Sequence, residues 1–208
     1  DRIATVSEYS KLDIHRQFGV QKDKIDVVYN GSNEMYAPVS EEEMQAVKLQ
    51  YSAGQDYFIF VGALHPRKNV ERLLQAFDKF KNETDSPMKL VIVGEKMFKT
   101  GTIGDTYENL SSKHDVVFTG RLEPDELRLV MTSALALAFV PYFEGFGIPI
   151  VEAMNSGIPV ITSNVTSMPE VAGDAAILVD PFSIDSIRDG LKKMASDEKL
   201  RKSLIAQA

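Results

Sequence analysis

The sequence predicts an α/β protein, a Rossmann-like parallel sheet with helices on both faces. Three observations carry this. The runs 57–61, 89–93, 116–119, 135–140, 160–163 and 177–179 are apolar almost throughout instead of alternating, as strands buried on both faces are. Stretches of helical period separate them; in one, Val70, Leu73, Leu74, Phe77 and Phe80 fall on a single face. Most of the strand-like runs end on glycine, at Gly62, Gly94, Gly120 and the loop 144–147. Such sheets bind ligands outside the carboxyl ends of their strands, so these glycines should line one edge.

The remaining elements follow in order. Residues 2–6 read as a short strand, and Ser7 caps a helix to about Phe18. Residues 25–29 form a second strand, and 30–33 a turn. Ser40 and Glu43 make a capping box for a helix to about Tyr51, which 52–55 break. Asn69 can cap the helix that follows strand 57–61. Residues 124–133 are helical, and a helix starts at Pro149 and stops at Gly157. A helical turn around 169–171, a helix from Ser183 to about Met194 and another from near Asp197 complete the chain. The longest irregular stretch, 94–104, is expected to be mobile. No internal repeat or low-complexity segment is seen.

Bulk properties narrow the function classes. The 208 residues suit one large domain or two small ones. A formal charge of −7 argues against broad attraction to nucleic acid. There is no cysteine, so disulfides and thiolate chemistry are excluded. No apolar run approaches the ~20 residues that span a bilayer, and no secretory leader is read. The chain opens at Asp1 and enters a strand-like run at once, so it is expected to be a piece of a longer protein.

The chemistry concentrates in Pro141-Tyr-Phe-Glu-Gly-Phe-Gly-Ile-Pro-Ile-Val-Glu-Ala-Met154. Strand, glycine loop and helix start together place free N–H groups and the positive end of a helix dipole at the sheet edge, which suits an anion. Glu144 in the loop and Glu152, read as lying in the first helical turn, are out of place for a phosphate alone. They suit a ligand with phosphates in the middle and hydroxyl-bearing sugars at its ends. Each has an ordinary explanation on its own, since an acid in a first turn is favourable by roughly 0.3–1 kcal/mol without a ligand.

A second motif, Gly62-Ala-Leu-His-Pro-Arg-Lys-Asn69, also joins a strand to a helix. Arg67 offers a planar fork to phosphate oxygens and Lys68 a compact charge; the pair could hold a diphosphate. His65 is a ligand group or a loop filler, with filler preferred; His15 and His114 look like surface or helix residues. No His-Glu-x-x-His, Asp-x-Asp or cysteine cluster is present, so no metal is expected. No Gly-x-Ser-x-Gly elbow or Walker loop appears. Gly-Phe-Gly is a poor dinucleotide cue without its third glycine.

With both motifs in hand, the chain resembles glycosyltransferase family 4, the retaining "group 1" enzymes of GT-B fold. Glu144-Gly-Phe-Gly-Ile-Pro-Ile-Val-Glu152 is similar to that family's E-x7-E signature, and Gly62-x4-Arg67-Lys68-Asn69 to its donor-phosphate loop. Val160-Ile-Thr-Ser163, Pro169-Glu-Val-Ala-Gly173 and Ala176-Ile-Leu-Val-Asp-Pro181 match in order. Thr5-Val-Ser-Glu-Tyr-Ser10 and Asn30-Gly31 resemble the segment crossing from an amino-terminal acceptor domain, with residues 1–7 as the crossing strand.

The resemblance implies that residues 1–208 are the carboxyl-terminal, donor-binding domain, inactive alone. It implies that Glu152 bonds the ribose of a nucleotide sugar and Glu144 the donor sugar. Arg67 and Lys68 would grip the diphosphate beside Gly62 and the loop Gly145, helped by N–H groups of Phe146, Gly147 and Ile148. Gly120, Arg121 and Leu122 would lie near the base. Glu144, Arg67 and Lys68 are the catalytic candidates, though nothing makes Glu144 a nucleophile. No cofactor or metal is implied. GDP-mannose is favoured as donor over UDP-sugars because His-Pro-Arg-Lys-Asn is similar to the family's mannosyltransferases. The acceptor would be a glycan or a lipid-linked glycan, the setting cytoplasmic with possible peripheral membrane contact. Two alternatives stay open: a nucleotide-binding module without chemistry, and another GT-B enzyme such as a nucleotide-sugar epimerase or a phosphorylase-like protein.

Overall fold

The computed structural model describes residues 1–95 and 101–208. The first elements stand apart. Strands β1 (Ile3–Thr5) and β2 (Ile25–Val27) pair in parallel as a separate two-stranded sheet, joined through helix α1 (Glu8–Phe18). Ser7 caps α1 as expected, its side chain accepting from the Ser10 N–H. The turn expected at 30–33 lies slightly later, where the Tyr36 N–H reaches the Asn33 carbonyl at 3.1 Å. Asn33 builds it, its side-chain oxygen also accepting from the Met35 N–H. Helix α2 (Glu41–Ser52) opens on the predicted capping box: Ser40 and Glu43 each accept the other's N–H, at 3.0 and 3.2 Å.

The main sheet contains β3 (Tyr57–Val61), β4 (Lys89–Val93), β5 (Val116–Gly120), β6 (Ala136–Phe139), β7 (Val160–Ser163) and β8 (Ala176–Val179). All pairings are parallel, in the order β5-β4-β3-β6-β7-β8. The chain starts in the middle, runs outward to β5, and returns to lay β6 against β3. Right-handed crossovers then put α3 (Val70–Thr84) and α4 (Gly101–Glu108) on one face, and α5 (Pro124–Thr132) and α6 (Ile148–Asn155) on the other. Helices α7 (Met168–Ala172), α8 (Ile184–Ser196) and α9 (Glu198–Gln207) close the chain, with α8 packed on α3.

The central strands are the most deeply buried part. Phe58, Ile59, Phe60, Leu137, Ala138 and Phe139 are inaccessible to solvent. Phe60 stacks on Phe139 across the β3–β6 pair, and Phe58 meets Phe80 of α3 edge-on. Each such side chain contributes about 1.5–3 kcal/mol of burial, which explains why the predicted stripe Val70, Leu73, Leu74, Phe77 and Phe80 faces inward. Among the described residues, no helix is long and apolar enough to cross a membrane.

Three expectations need correction. Asn69 sits at the start of α3 in a left-handed conformation and makes no capping bond; its side chain is used elsewhere. The irregular stretch expected to be mobile over 94–104 ends early, because Gly101–Glu108 is helical; residues 96–100 of it lie outside the described residues. Glu152 is not in the first turn of α6, which carries no acid. The helix begins at Ile148, one residue ahead of the proline, so Glu152 falls a full turn inside and the helix-dipole explanation for it lapses.

Candidate functional site

The order β4-β3-β6-β7 makes the β3–β6 boundary the point where strand order reverses. Crevices of parallel sheets open there. Both chemical motifs lie at this boundary, one in the loop after β3 and the other in the loop after β6.

The loop after β3 is pinned from several directions. The Gly62 N–H donates to the Val93 carbonyl at 2.9 Å and the Leu64 N–H to the Glu95 carbonyl at 3.1 Å. Gly94 must be glycine, because a Cβ there would stand 1.9 Å from the Gly62 carbonyl oxygen. Residues Pro66–Lys68 form a 3-10 turn, with His65 Nδ1 accepting from the Arg67 N–H at 3.2 Å. His65 therefore shapes the turn that carries the basic doublet. The buried Asn69 amide donates to Val140 and Pro181 carbonyls at 2.9 and 2.8 Å, and the Tyr142 N–H reaches the Arg67 carbonyl at 2.9 Å. The two loops are thus stitched together across the crevice.

Side chains meet across that seam. The Arg67 guanidinium and the Lys68 ammonium both pair with Oε1 of Glu144. Arg67 also reaches the Phe143 carbonyl at 3.3 Å, and Lys68 Nζ sits 4.9 Å from the centre of the Phe139 ring. Lys68 and Glu144 side chains are 11% and 12% exposed against 45% for Arg67. Hence the Lys68–Glu144 pair is the strongly coupled one, and Arg67 the solvent-facing partner.

Glu152 lies in a different part of the same edge. It lines a cleft of about 490 Å³ with Tyr36, Gly62, Gly94, Arg121 and Leu122. Burial pushes its pKa above the ordinary glutamate range, with a hydrogen bond from the Tyr36 phenol opposing the shift. Tyr36 is itself pushed up to about 12 by burial and by the adjacent carboxylate. Among the described residues, no cation pairs with Glu152. Gly62, Arg121, Leu122 and Glu152 therefore come together in the cleft, while Arg67, Lys68 and Glu144 cluster beside it.

The connecting residues have mixed surroundings. Gly147 opens α6 at φ +100°, where a Cβ would press on Met168 at 2.8 Å. Phe146 is buried and packs toward Tyr29, their rings 6.1 Å apart. Ile148 is exposed. Gly145 is held through its carbonyl by Ser7 at 2.6 Å and Ser10 at 3.2 Å. Sequence reading missed Tyr36, Ser10 and Ser167, and assigned Ser7 only a capping role. Serines that bond a distant loop carry no local signal, and Tyr36 falls just past a turn cue.

A family model for glycosyl transferases group 1 matches residues 41–208. The chain belongs to that family. O-antigen chain mannosyltransferase B of Escherichia coli is 32% identical over 99% of the chain and 54% of its own length. O-antigen chain mannosyltransferase RfbU of Salmonella typhimurium is 30% identical over 92% and 50%. The chain thus spans about half the length of these relatives. Among solved structures, Anabaena HepE in complex with UDP and glucose superposes with a TM-score of 0.88, covering 99% of this chain and 56% of that one at 19% identity. That likeness is one of fold, the Rossmann-like architecture of GT-B glycosyltransferases.

Proposed function

We propose that the chain is the donor-binding domain of a retaining glycosyltransferase of family 4, acting with an amino-terminal acceptor domain that β1 adjoins. It takes a nucleotide sugar, GDP-mannose before UDP-sugars, and serves transfer to a glycan or lipid-linked acceptor. The observation that carries this is the pairing of Arg67 and Lys68 with Glu144 beside a cleft holding Glu152, at the reversal point of the sheet. The mannosyltransferase names of the two relatives support the choice of sugar.

The chemistry follows from where charge develops. As the bond between the anomeric carbon and the phosphate oxygen breaks, the diphosphate gains negative charge. Arg67, Lys68 and the start of α6 are fixed in position to receive it. Phosphate oxygens would draw the two cations off Glu144, leaving its carboxylate to accept from donor-sugar hydroxyls. Glu152 would accept from the ribose, with Gly120, Arg121 and Leu122 beside the base. The acceptor hydroxyl attacks from the same face and passes its proton to the departing phosphate oxygen, which retains the anomeric configuration. These side chains carry the charge without a metal in our reading, so chelator should leave nucleotide binding unchanged. Work at the cytoplasmic face of a membrane fits a lipid-linked acceptor.

Calorimetry with GDP, UDP and ADP tests the reading. Binding of at least one is expected, GDP tightest, and silence with all three overturns it. A module without chemistry would bind equally well, so turnover of the bound nucleotide's sugar donor by the protein together with its acceptor domain separates the two. A donor hydrolysed or transferred supports the enzyme; binding with no turnover supports the module.

A further inference from the structure

Four serine hydroxyls hold carbonyls of the loop between β6 and α6, beside the contacts it makes with the loop after β3. Ser163 donates to the Pro141 carbonyl at 2.6 Å, and Ser167 reaches the Glu144 and Phe146 carbonyls at 2.9 and 3.3 Å. Ser7 donates to the Gly145 carbonyl at 2.6 Å, and Ser10 Oγ lies 3.2 Å from the same oxygen and 2.9 Å from Ser7 Oγ. Ser7, Ser163 and Ser167 are fully buried. Three consecutive carbonyls, those of Glu144, Gly145 and Phe146, are therefore directed at hydroxyls.

A trans peptide is planar, with its C=O and N–H pointing in opposite directions. No cis peptide occurs among the described residues. Holding the Gly145 carbonyl toward α1 thus turns the Phe146 N–H away from α1. Ser167 does the same for the N–H groups of Gly145 and Gly147. A flexible glycine peptide would otherwise flip at little cost. The helix bearing Ser7 and Ser10 is itself anchored, since the Glu170 carboxylate accepts from the Glu8 and Tyr9 N–H groups at 2.7 and 3.0 Å. The Tyr9 ring also meets Phe143 edge-on. Both serines precede residue 41, where the family match begins, and the resemblance seen in Thr5–Ser10 makes that segment a crossing between domains without giving its hydroxyls a part in binding.

We propose that Ser7 and Ser10 are positioning residues of the donor site: by fixing the Gly145 carbonyl they aim the Phe146 N–H at the terminal phosphate of a bound nucleoside diphosphate. This rests on the donor-site reading above. It makes the α1 segment a working part of the anion loop in addition to a packing element. The contact is specific to the distal phosphate, because the N–H it orients belongs to the glycine loop and not to the cleft around Glu152.

The test compares the best-binding nucleoside diphosphate from the screen with its monophosphate. Ser10 is only partly buried, so Ser10→Ala leaves the Ser7 cap in place and should fold. The expected result is a five- to tenfold loss of diphosphate affinity, the scale of one hydrogen bond, with the monophosphate within twofold. Ser10→Thr, which keeps the hydroxyl, should restore wild-type binding. Ser7→Ala should show a larger loss of the same kind; if it melts early, the Ser10 pair decides. Equal losses for both nucleotides, or no loss while the wild type binds the diphosphate, overturn the inference alone. Failure of the wild type to bind either nucleotide overturns the donor-site reading and this inference with it.

Discussion

Glu144 and Glu152 sit eight positions apart at one sheet edge, in opposite electrostatic company. Glu144 is wedged between a guanidinium and an ammonium. Glu152 lies in a mostly apolar cleft that also holds the Tyr36 phenol and Arg121, without an ion-pair partner among the described residues and with its charge disfavoured by burial. The first is a neutralised cluster that a phosphate could reorganise by taking over the cations. The second is a desolvated acceptor whose hydrogen bonds would be strong because water is scarce. The two halves suit the two ends of one ligand, and each can be broken without the other.

The largest effect is expected at Lys68. Removing a mostly buried cation strips the phosphate side and leaves Glu144 with only an exposed partner. Lys68→Ala should weaken nucleoside diphosphate binding roughly a hundredfold, and the more exposed Arg67→Ala about tenfold. Neither should much affect a free nucleoside. Titration calorimetry on both ligands reads the contrast, and equal losses for both would erase it.

Next comes Glu152→Gln. We expect about a tenfold loss for the ribonucleotide, the scale of a charge-assisted hydrogen bond, and under twofold for its 2′,3′-dideoxy analogue. The pH dependence has a definite sign. The folded pKa is raised, so the carboxylate is lost as pH falls through a value above the ordinary glutamate range. Ribonucleotide affinity should fall there in the wild type and not in the variant. Stability runs the other way, because ionising a half-buried carboxyl whose folded pKa is raised costs the folded state. The variant should therefore melt above the wild type at neutral pH, and the gap should close as acid protonates Glu152. A constant gap would show that the cleft exerts no such penalty.

Tyr36→Phe sharpens the same half. Its phenol opposes the rise in the Glu152 pKa, so removing it should move the pH break upward and cost about threefold in ribonucleotide affinity. An unmoved break would separate Tyr36 from Glu152. Smallest is the salt effect: raising salt from about 50 to 200 mM should weaken diphosphate binding a few-fold through the exposed Arg67, and leave nucleoside binding unchanged.

The sheet was legible because its strands are buried on both faces, which leaves an unbroken apolar signature from Tyr57 to Val61 and again around Phe139. The basic doublet and Glu144 were legible through spacing from strand ends, where the parallel topology brings distant loops together. Boundaries were less so. Ile148 entered α6 ahead of the proline, which was enough to move Glu152 out of the first turn. Asn69 was misread because a good capping residue also makes a good buried cross-link. Its amide serves two carbonyls, one of them at Pro181. Tyr36 and Ser10 were invisible for a shared reason: their partners are fixed by tertiary contact over more than a hundred residues, which no local pattern encodes.

The return of the chain to the middle of the sheet has a consequence for its birth. Phe58 and Ile59 pair on one side with Leu90 and Val91, but on the other with Ala136 and Leu137, which leave the ribosome much later. Until then β3 presents a bare, oily hydrogen-bonding border to its surroundings or to a chaperone. Arg67 meanwhile waits for a counter-ion made 77 residues downstream. The nascent protein thus exposes this apolar border while the β3–β6 crevice is still half written, and completing that crevice covers it.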